Sequence, residues 1–495
     1  MSVVYKVLMQ NLPVNLYRAA QVRELDRLAI EEYGIPGFVL MTRAGQEIYQ
    51  CIIDNWPDAE SLAVFCGSGN NAGDGYIVAD LALDAGLKVC VYAVSNPVKL
   101  VGDAMTAYNK YTAAKGLVRA FNVDDSFNAD VIVDALLGTG LDRPVTGLYA
   151  EAIQLMNRHT SPVVAVDIPS GLNADTGNIM GCAVKAAFTM TFIGLKQGLF
   201  TGLAAEYCGT INYAKLGVPD AVFEGINTSA VRVVRNQLLR RHRCDHKGKC
   251  GHVLIVGGEL GYSGAAKLAG EAALRVGAGL VSMATRSEHA GFMNQNRPEL
   301  MCHGVETAEQ LSILLAKVDV VVVGPGLGQS AWADMLFNIA INSGKILVID
   351  ADGLNLLASR PTMNGDWLLT PHPGEAARLL NCSTAEVQQD RFMAVSAIQA
   401  GFGGVAILKG AGTLIATEHQ IAISSTGNPG MASGGMGDVL AGVLGGLLAQ
   451  GLSLQEAAQQ GVYIHGLAAD IAVAEDGERG LLASDLMPYL RQLVN

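Results

Sequence analysis

A glycine-rich segment that ends on an aspartate and leads into an apolar stretch is the sharpest chemical pattern in the sequence. It reads GGMGD at residues 434–438. Glycines at a helix start let backbone N–H groups approach a phosphate, where the positive end of the helix dipole favours an anion. Asp438 at the same position could accept a proton from an attacking hydroxyl. We therefore expect an anion site with a general base, although an aspartate at a helix start can also be a simple cap.

Three other loops of the second half follow predicted strands and carry polar side chains. They read KGAGT at residues 409–413, DADGLN at 350–355 and TPHPGE at 370–375. The first adds another turn suited to an anion, and it begins with Lys409. In the third, His372 between two prolines is held more rigidly than a core histidine needs, although it could do no more than hydrogen-bond its own loop. All follow predicted parallel strands, so we expect them at one edge of a sheet.

A second glycine-rich turn lies in the first half, where GSGNNAGDGY occupies residues 67–76 after an apolar run. Such a turn at a helix start exposes N–H groups to an anion. The turn lacks the lysine that a P-loop requires. The next strand ends at Ser95 without the acidic residue that holds a ribose. These differences disfavour an ordinary dinucleotide-binding domain. Asn70, Asn71 and Asp74 exceed what a tight turn needs, which favours a binding site over a purely structural turn.

Two aspartates of the first half, Asp134 and Asp167, each follow a short apolar run. Ligands bind beyond the carboxyl ends of strands in an open parallel sheet, so these side chains and the turn at Asn71 could converge. Two carboxylates about 4 Å apart repel by roughly 4 kcal/mol at an effective dielectric constant of about 20. A cation, a shared proton or a larger separation must then relieve the repulsion. Either aspartate could instead cap the turn that follows it.

Short apolar runs alternate with helix-like segments through both halves, as in parallel sheets covered on both faces. We predict a helix over residues 17–33 and domains 1–222 and 223–495, because the alternation stops over residues 224–246. The fold class is α/β, with two three-layer α/β/α domains. The predicted strands are residues 62–66, 89–94, 131–135 and 163–168 in the first half and 253–256, 281–284, 320–323, 346–349, 367–369 and 405–408 in the second.

Composition limits the kind of protein. With 34 Lys and Arg against 46 Asp and Glu, the 495-residue chain has a net charge of −12, which disfavours nucleic acid as its main partner. Half of its residues are hydrophobic, as in a globular protein, and nine scattered cysteines imply no disulfide framework. The N-terminus has no signal-peptide pattern, and the apolar run at residues 439–449 is too short for a membrane span, so its GxxxG spacing predicts helix packing. We expect a cytoplasmic protein without a membrane partner.

The motifs of the first half resemble, in order, the NAD(P)H-hydrate epimerase domain over roughly residues 15–220. The resemblance rests on LMTRAG at 40–45, GSGNNAGDG at 67–75, DALLGTG at 134–140 and DIPSGL at 167–172. It implies a Rossmann-like fold and a potassium ion held by Asn71, Asp134 and Ser170. It also implies contacts with the damaged nucleotide from Asn70, Asn71, Ala72, Gly73, Asp74, Gly138, Thr139, Gly140, Leu141, Asp142, Arg143, Pro144 and Asp167.

Within this resemblance, Asp167 becomes the proton-transfer residue that interconverts the two C6 epimers of the hydrate. Lys196 is a weaker candidate for the same site, and we interpret it as a surface lysine.

The motifs of the second half resemble the ribokinase-like fold and, within it, the NAD(P)H-hydrate dehydratase branch, over roughly residues 230–492. Besides GGMGD, the resemblance rests on KG at 247–248, GYSGA at 261–265, DGLN at 352–355 and TPHPGE at 370–375. It implies that the hydrated substrate contacts Ala265, Gly326, His372 and Asp438. It implies that the nucleotide, ADP, is held by Lys409, Gly410, Ala411, Gly412, Thr413 and Gly437. Magnesium would offset the phosphate charge, and no feature of the sequence excludes ATP.

Together the two resemblances predict a bifunctional repair enzyme. The first half would equilibrate the R and S hydrates of NAD(P)H, and the second would dehydrate the S form while ADP becomes AMP and phosphate. The partners would be NAD(P)H hydrates and ADP, and we expect a homo-oligomer. One alternative is a ribokinase-like small-metabolite kinase whose N-terminal half only binds a ligand. Another is that the N-terminal half is an interaction scaffold, since this fold permits many functions.

Overall fold

Parallel strands joined by helices build both halves of the chain, as the alternation of apolar runs predicts. The structure, a computed structural model, describes residues 12–124 and 126–495. The interpretation of the N-terminus includes residues 1–11, which lie outside the described residues. The chain divides into two compact units between Ala230 and Val231. The predicted boundary after residue 222 falls inside a short helix, Ala221–Glu224.

The N-terminal unit alternates strands and helices along its length. Its strands are β1 Asn15–Leu16, β2 Ser61–Cys66, β3 Lys88–Ala93, β4 Leu117–Ala120, β5 Val131–Ala135, β6 Val163–Val166, β7 Phe188–Phe192 and β8 Thr210–Ala214. Its helices are α1 Ala19–Glu31, α2 Gly37–Asn55, α3 Asn70–Asp84, α4 Gly102–Ala113, α5 Leu148–Arg158, α6 Ala204–Tyr207 and α7 Ala221–Glu224.

Strands β2 to β8 form a seven-stranded parallel sheet in the order β4-β3-β2-β5-β6-β7-β8. The strand order changes direction between β2 and β5, so a crevice opens there beyond the carboxyl ends of the strands. Cys66 pairs with Ala135 in register, and the loops that follow these residues therefore leave the sheet side by side. Helices cover both faces, which explains why the central strands read as unbroken apolar runs.

The C-terminal unit repeats the α/β plan with a larger sheet. Its strands are β9 Ala230–Arg232, β10 His252–Val256, β11 Leu280–Thr285, β12 Leu300–Gly304, β13 Val320–Val323, β14 Ile346–Ile349, β15 Trp367–Leu369, β16 Val405–Leu408, β17 Thr413–Ala416 and β18 Ile421–Ser424. Its helices are α8 Ser263–Arg275, α9 Ser287–Ala290, α10 Ala308–Leu315, α11 Ala331–Ile341, α12 Asp352–Ser359, α13 Pro373–Leu380, α14 Thr384–Gln389, α15 Arg391–Phe402, α16 Met436–Ala449, α17 Leu454–Asp476 and α18 Met487–Leu493.

In this unit the strands lie in the order β9-β18-β17-β16-β15-β14-β13-β10-β11-β12. Neighbouring strands are parallel except at β17, which pairs antiparallel with β16 and β18. The strand order changes direction between β10 and β13, which places a second crevice at this point. Strands β10, β13, β14, β15 and β16 all send their carboxyl ends to the same edge, so the loops at residues 350–355, 370–375 and 409–413 share it, as expected.

Most strands predicted from apolar runs lie where the sequence placed them, within one or two residues at their ends. The strand predicted over residues 163–168 ends two residues earlier, at Val166, because Asp167 adopts a φ of +69°. The strands that the sequence did not predict are β1, β4, β7, β8, β9, β12, β17 and β18, and of these β7 and β8 extend the N-terminal sheet beyond β6. Their sequences, FTMTF and TINYA, interrupt the apolar pattern with threonine and asparagine.

Helix α16 packs closely against α8. A Cβ at Gly442 would collide with the carbonyl oxygen of Ala269, and a Cβ at Gly446 would lie 2.7 Å from the carbonyl oxygen of Ala273. The GxxxG spacing therefore serves packing between two helices of one unit, as predicted. Over residues 12–124 and 126–495, none of the helices combines the length and apolar character that a membrane crossing demands.

Replacing Gly442 tests this packing. The new side chain has no space against Ala269, so we expect Gly442→Val to lower the free energy of unfolding of the C-terminal unit by about 1–3 kcal/mol, the usual cost of overpacking. The control is Gly401→Ala in the exposed last turn of α15, where a Cβ meets open space and a gain of up to about 1 kcal/mol is expected. Urea denaturation of the full chain measures both changes. Wild-type stability in Gly442→Val would contradict the close approach.

Candidate active sites

Two loops meet at the crevice of the N-terminal sheet. Gly67 follows β2, and a Cβ on it would collide with the carbonyl oxygen of Leu136, which follows β5. Only glycine permits this approach. Helix α3 begins immediately afterwards, and residues 70–74 form its first turn, with Gly69 as the preceding cap. Backbone N–H groups at such a turn lack intrahelical partners and can bind an anion, which agrees with the chemistry expected from the sequence.

Asp134, near the end of β5, is fully buried. Its carboxylate accepts hydrogen bonds from the Ser170 hydroxyl at 2.6 Å, from the Ser170 N–H at 2.8 Å and from the Leu136 N–H at 3.3 Å. Burial raises the pKa of Asp134 to about 6, and the hydrogen bonds from Ser170 oppose that rise. The structure thus brings together two of the three residues predicted to hold an ion.

Asn71, the third of these residues, lies in the first turn of α3 with its side chain buried. It faces the loop after β5, because a Cβ at Gly138 would lie 3.6 Å from Asn71 Oδ1. Its Nδ2 is buried and has no hydrogen-bond partner among the described residues. A buried N–H donor without an acceptor costs free energy, so this amide is placed to donate a hydrogen bond to a bound group.

Lys196 is buried, and its interpretation as a surface lysine is wrong. Its side chain is 1% exposed and forms an ion pair with Asp167. Its Nζ also donates to the Thr191 hydroxyl at 2.8 Å and to the Phe192 carbonyl at 3.2 Å. The chain turns just after β7, where Ile193 has a φ of +58°, and this turn lets the ammonium reach the carboxylate at the end of the neighbouring strand.

Asp167 follows β6 in the left-handed backbone region, which costs a non-glycine residue about 1–2 kcal/mol. Its N–H donates to the Met190 carbonyl at 2.7 Å, and its Oδ1 lies 3.4 Å from the Phe192 N–H. Contacts with β7 therefore hold the residue in this conformation. Its side chain keeps 16% exposure, so a ligand can reach it. Strain of this kind is common at functional sites.

Two further carboxylates interact electrostatically with the pair of Asp167 and Lys196. Burial raises the pKa of Asp26 to about 6, Lys196 lowers it and Asp167 raises it. Burial, and then the negative charges of Asp167 and Asp26, raise the pKa of Asp74 well above its usual range. The cluster therefore contains three carboxylates and a lysine at the carboxyl edge of the sheet.

Sequence reasoning missed Asp26, although a signal was present. Val22, Asp26 and Ala29 are spaced like residues on one face of a helix, and Val22 and Ala29 are buried on α1. An aspartate within an apolar stripe is costly unless it serves a site. The amphipathic pattern of the helix, interrupted at this one position, could have identified it.

The predicted substrate loop at residues 138–144 starts at the site and ends in solvent. Gly138 adjoins Asn71, and Thr139 and Leu141 are partly buried, whereas the exposed members are Gly140, Asp142, Arg143 and Pro144. Within the first turn of α3, Ala72 is fully buried, and a Cβ at Gly73 would lie 2.6 Å from Met41. These two residues therefore present no side chain to a ligand.

In the C-terminal unit, the loops after β10 and β13 meet at the crevice. A Cβ at Gly326 would lie 3.1 Å from the Ala265 Cβ, so these two predicted substrate residues are neighbours. Asp352, the first residue of α12, accepts a hydrogen bond from the Gly328 N–H at 2.8 Å and joins the loop after β14 to them. A pocket of about 610 Å³ opens here, lined by Glu259, Leu260, Tyr262, Arg286, Gly328, Gln329, Ser330 and Asp352.

Lys409, just after β16, connects several strand ends. Its Nζ donates to Asp350 at 2.7 Å and lies 3.7 Å from Glu375, while Asp350 also accepts from the Thr370 hydroxyl at 2.7 Å. Burial lowers the pKa of Lys409, but Asp350 and Glu375 outweigh it, so the net shift is upward. A Cβ at Gly437 would lie 3.3 Å from this Nζ. The structure therefore brings together Lys409 and Gly437, both predicted to hold the nucleotide.

Asp438 lies in the first turn of α16, as the sequence predicts. The helix is preceded by Gly435 with a φ of +89°, a conformation that glycine adopts without strain. Burial raises the pKa of Asp438 to about 7, Asp350 and Asp352 add to the rise, and Lys409 opposes it. A carboxyl group with a pKa near neutrality can accept and release a proton under physiological conditions.

His372 caps helix α13. Its Nδ1 accepts hydrogen bonds from the N–H groups of Gly374 at 3.0 Å and Glu375 at 3.3 Å, and the Glu375 carboxylate accepts from the His372 N–H at 2.7 Å. Burial and then Lys409 lower the pKa of His372, so the ring is neutral with its proton on Nε2. His372 thus hydrogen-bonds its own loop, one of the two interpretations left open, while half of its side chain remains exposed.

The predicted nucleotide loop is held from within the protein. Thr413 begins β17, and its hydroxyl donates to the Gly410 carbonyl at 3.0 Å, so the loop is shorter than the sequence indicates. Arg391 is 2% exposed and donates to the Lys409 carbonyl at 3.2 Å. A buried guanidinium therefore fixes the backbone that carries Lys409.

Each unit presents a lysine among several carboxylates at the edge of a parallel sheet, next to a helix N-terminus. The helix end can bind an anion, and carboxyl groups with displaced pKa values can transfer protons. Fold and sites together define an α/β enzyme with two separate centres, each equipped for acid–base chemistry on an anionic ligand.

Comparison with known families agrees with this division. A family model described as NAD(P)H-hydrate dehydratase matches residues 253–492, and one described as YjeF-related protein N-terminus matches residues 37–198. The chain is 49% identical to the bifunctional NAD(P)H-hydrate repair enzyme Nnr of Coxiella burnetii over 485 residues, which cover 97% of this chain and 99% of that protein. It is 44% identical to the Escherichia coli protein of the same name over 490 residues, with 98% and 95% covered. The chain belongs to the family of bifunctional NAD(P)H-hydrate repair enzymes.

This membership confirms the prediction of an enzyme with an epimerase and a dehydratase domain, over the alternative of a small-metabolite kinase. Among solved structures, the ADP/ATP-dependent NAD(P)H-hydrate dehydratase from Bacillus subtilis, co-crystallised with ATP and Mg²⁺, is 29% identical. The match covers 52% of this chain and 93% of that chain, with a TM-score of 0.47.

Removing the charge of Lys409 should destabilise the C-terminal unit. In Lys409→Met the nearly inaccessible carboxylate of Asp350 loses its cation, and removing one partner of a buried pair costs about 3–5 kcal/mol. Because the Lys409 side chain is 19% exposed, we expect the lower end, about 3 kcal/mol. The matched control is Lys249→Met, whose ion pair with Asp245 involves a 60% exposed lysine and should contribute less than about 1 kcal/mol. Urea denaturation measures both, and equal effects would contradict the burial argument.

Proposed function

We propose that the two sites divide the repair of hydrated NAD(P)H between them. The N-terminal site interconverts the R and S hydrates at C6, with Asp167 as the proton-transfer residue. The C-terminal site dehydrates the S form with Asp438 as general base and ADP as co-substrate. The observation that carries this proposal is that each unit places a reactive aspartate near a lysine at its own crevice, the buried Lys196 in one and the partly buried Lys409 in the other.

Epimerisation at C6 needs a proton removed from one atom and delivered to another. Asp167 takes the proton of the C6 hydroxyl, the C6=O double bond forms, and the C6–N1 bond breaks with its electron pair going to N1, which takes up a proton. Rotation about C5–C6 presents the other face of the aldehyde, and the reverse steps close the ring. The first turn of α3 and the loop at residues 138–144 bind the phosphates and position the ring.

We assign a potassium ion in this site to Asn71, Asp134 and Ser170. The support is a donor set of amide, carboxylate and hydroxyl oxygens, which suits a hard cation. When bound, the ion supplies positive charge next to the phosphate-binding turn of α3.

Dehydration must overcome the poor leaving ability of hydroxide. Asp438 accepts the proton of the C6 hydroxyl while that oxygen bonds to the terminal phosphorus of ADP, and AMP leaves with the electron pair of the broken P–O bond. Phosphate then leaves C6 with the C6–O electron pair, C5 loses a proton, and the C5=C6 double bond is restored. Lys409 and the N–H of Gly437 stabilise the charge on the transferring group, and the substrate contacts Ala265, Gly326 and His372.

Magnesium belongs to the nucleotide in this proposal. Within residues 12–124 and 126–495 no three His, Cys, Asp or Glu side chains form a metal site. That suits an ion which binds phosphate oxygens, keeps several waters and uses one or two carboxylates. Asp350 is the candidate carboxylate, because its Oδ2 lies 3.5 Å from the position of a Cβ on Gly437. A homo-oligomeric state and a cytoplasmic location stay predictions from the sequence.

Substitution of the two aspartates should separate the activities. We expect Asp438→Ala to lower the rate of dehydration by about 10²–10⁴-fold, the usual contribution of a general base, while epimer exchange continues. Asp167→Ala should lower epimer exchange by a similar factor and leave dehydration of the S hydrate intact. The assay supplies mixed NADH hydrates, ADP, magnesium and potassium to the full chain and follows NADH absorbance, phosphate release and the ratio of the epimers.

In the same assay, Asp366→Ala is the control, because this exposed aspartate lies outside both sites. A wild-type chain that recovers no NADH would defeat the assignment. If either site variant lost both activities while remaining folded, the division between the units would be wrong. A parallel reaction with ATP in place of ADP identifies the nucleotide.

The dehydratase should lose activity in acid. Asp438 acts as a base only when ionised, and its pKa is about 7, so kcat/KM should fall as the pH decreases through that value. Asp352→Asn removes a negative charge that raises this pKa, so the same limb of the profile should move to lower pH. Asp366→Asn should leave the limb in place. The pH dependence of NADH recovery tests this, and an unmoved limb in Asp352→Asn would contradict the electrostatic origin.

A further inference from the structure

The proposed epimerase site holds more negative than positive groups. Asp26 from α1, Asp74 from α3 and Asp167 after β6 face a single ammonium group of this cluster, that of Lys196. Three ionised carboxylates next to one buried cation would leave two uncompensated charges, which burial makes costly. The position of the lysine therefore determines which carboxylate keeps its charge.

The contacts of Lys196 are specific to one of the three. Its ammonium binds the Asp167 carboxylate, and its other donors go to the Thr191 hydroxyl at 2.8 Å and the Phe192 carbonyl at 3.2 Å. An ammonium has three N–H donors, and all three are used here. The side chain of Lys196 is thus held in place by these contacts and has no donor left for the substrate.

The other two carboxylates lack this direct contact and are driven towards their neutral forms. Burial is the largest cause for both, and the negative charge of Asp167 adds to it. The cluster thus combines the carboxylate of Asp167, which is paired with an ammonium, with the carboxyl group of Asp74, which burial and like charges drive strongly towards its neutral form. Ring opening at C6 needs both, since one group takes the proton from the hydroxyl and another gives a proton to N1.

We propose that Lys196 is a positioning residue of the epimerase site, which makes Asp167 the base of the cluster and leaves the exchangeable proton on Asp74. The inference rests on the proposed function. Each half-reaction then balances within the cluster: Asp167 gains the hydroxyl proton, N1 receives one from a neutral carboxyl, and ring closure on the other face returns both. The conformation of Asp167, held by Met190 and Phe192, keeps its carboxylate at the ammonium.

Lys196→Met, measured in the full chain, tests this role. The charged and titratable groups that interact with Asp167 are Asp26 on α1, Asp74 on α3 and Lys196, and Lys196→Met removes the one cation among them. On the acidic limb of the pH–rate profile we expect the rate of R/S exchange to fall at least about tenfold, because loss of the cation makes the ionised base less abundant there. We also expect the acidic limb of the pH–rate profile to move to higher pH. Exchange is followed by separating the epimers without ADP, after subtraction of the uncatalysed rate.

Three comparisons separate positioning from a merely structural role. Lys215→Met removes a lysine from an exposed ion pair with Asp220 and should leave rate and limb unchanged. Lys196→Arg keeps the charge and should keep the limb near its wild-type position, even if the rate falls. In the Asp167→Asn background, Lys196→Met should have little further effect on the residual rate, because the lysine acts through that carboxylate.

The outcomes are distinct. If wild type does not accelerate exchange, the proposed function fails and the inference with it. If wild type is active and Lys196→Met keeps its rate and its limb, only the inference fails. Lys196 would have a structural role if its substitution lowered the rate and left the acidic limb of the pH–rate profile in place. In that case Lys196→Arg would show the same loss, and the effect of Lys196→Met would be additive with that of Asp167→Asn. Circular dichroism melts of each variant report folding. If Lys196→Met does not fold, the test is the acidic limb of the pH–rate profile of Lys196→Arg. A limb moved to higher pH in that variant overturns the proposal.

Discussion

A carboxylate that leaves water must be compensated by a cation, by hydrogen-bond donors or by a proton, and both candidate sites depend on that constraint. Each sheet sends several acidic strand ends to one edge, and each unit supplies a lysine there, Lys196 or Lys409. The carboxylates that the lysine does not contact have raised pKa values, as Asp74 and Asp438 do. Acid–base capacity at neutral pH therefore follows from an excess of acidic groups over basic ones.

The two units use this constraint differently. In the N-terminal unit the lysine contacts Asp167 itself, so the proposed reactive group keeps its charge. In the C-terminal unit Lys409 contacts Asp350, while Asp438 one turn into its helix keeps a pKa of about 7. Lys409 also adjoins Gly437, where a phosphate is proposed to bind. One arrangement favours a permanent base, and the other favours a base that gains and loses its proton while the lysine faces an anion.

The sequence predicted features that are local and missed those that depend on contacts between distant segments. Strands such as Val320–Val323 are buried on both faces, so they appear as uninterrupted apolar runs, and the glycine-rich turns after them mark helix starts. Lys196 lies 29 residues after its partner Asp167, so its contact with that carboxylate depends on how β6 and β7 pair and not on its neighbours in the sequence. Asp26 belongs to the same category, because its role appears only once α1 is packed on the sheet. Strand β7 was missed because its buried threonines look like surface residues, although Thr191 accepts a hydrogen bond from Lys196 and Thr189 donates one to the Cys208 carbonyl.

Helix α16 gives the C-terminal site a property that its chemistry alone does not reveal. Asp438 sits in the first turn, and Gly442 and Gly446, where the helix presses on α8, lie roughly 6 and 12 Å further along at 1.5 Å per residue. The proton acceptor therefore lies on a helix that contacts α8 through backbone atoms at Gly442 and Gly446. A helix packed this closely has little space in which to shift. A substitution that moves α16 away from α8 at these glycines also moves Asp438 at the N-terminus of the helix. The position of the proposed base is therefore determined partly by packing roughly 6 to 12 Å away from it.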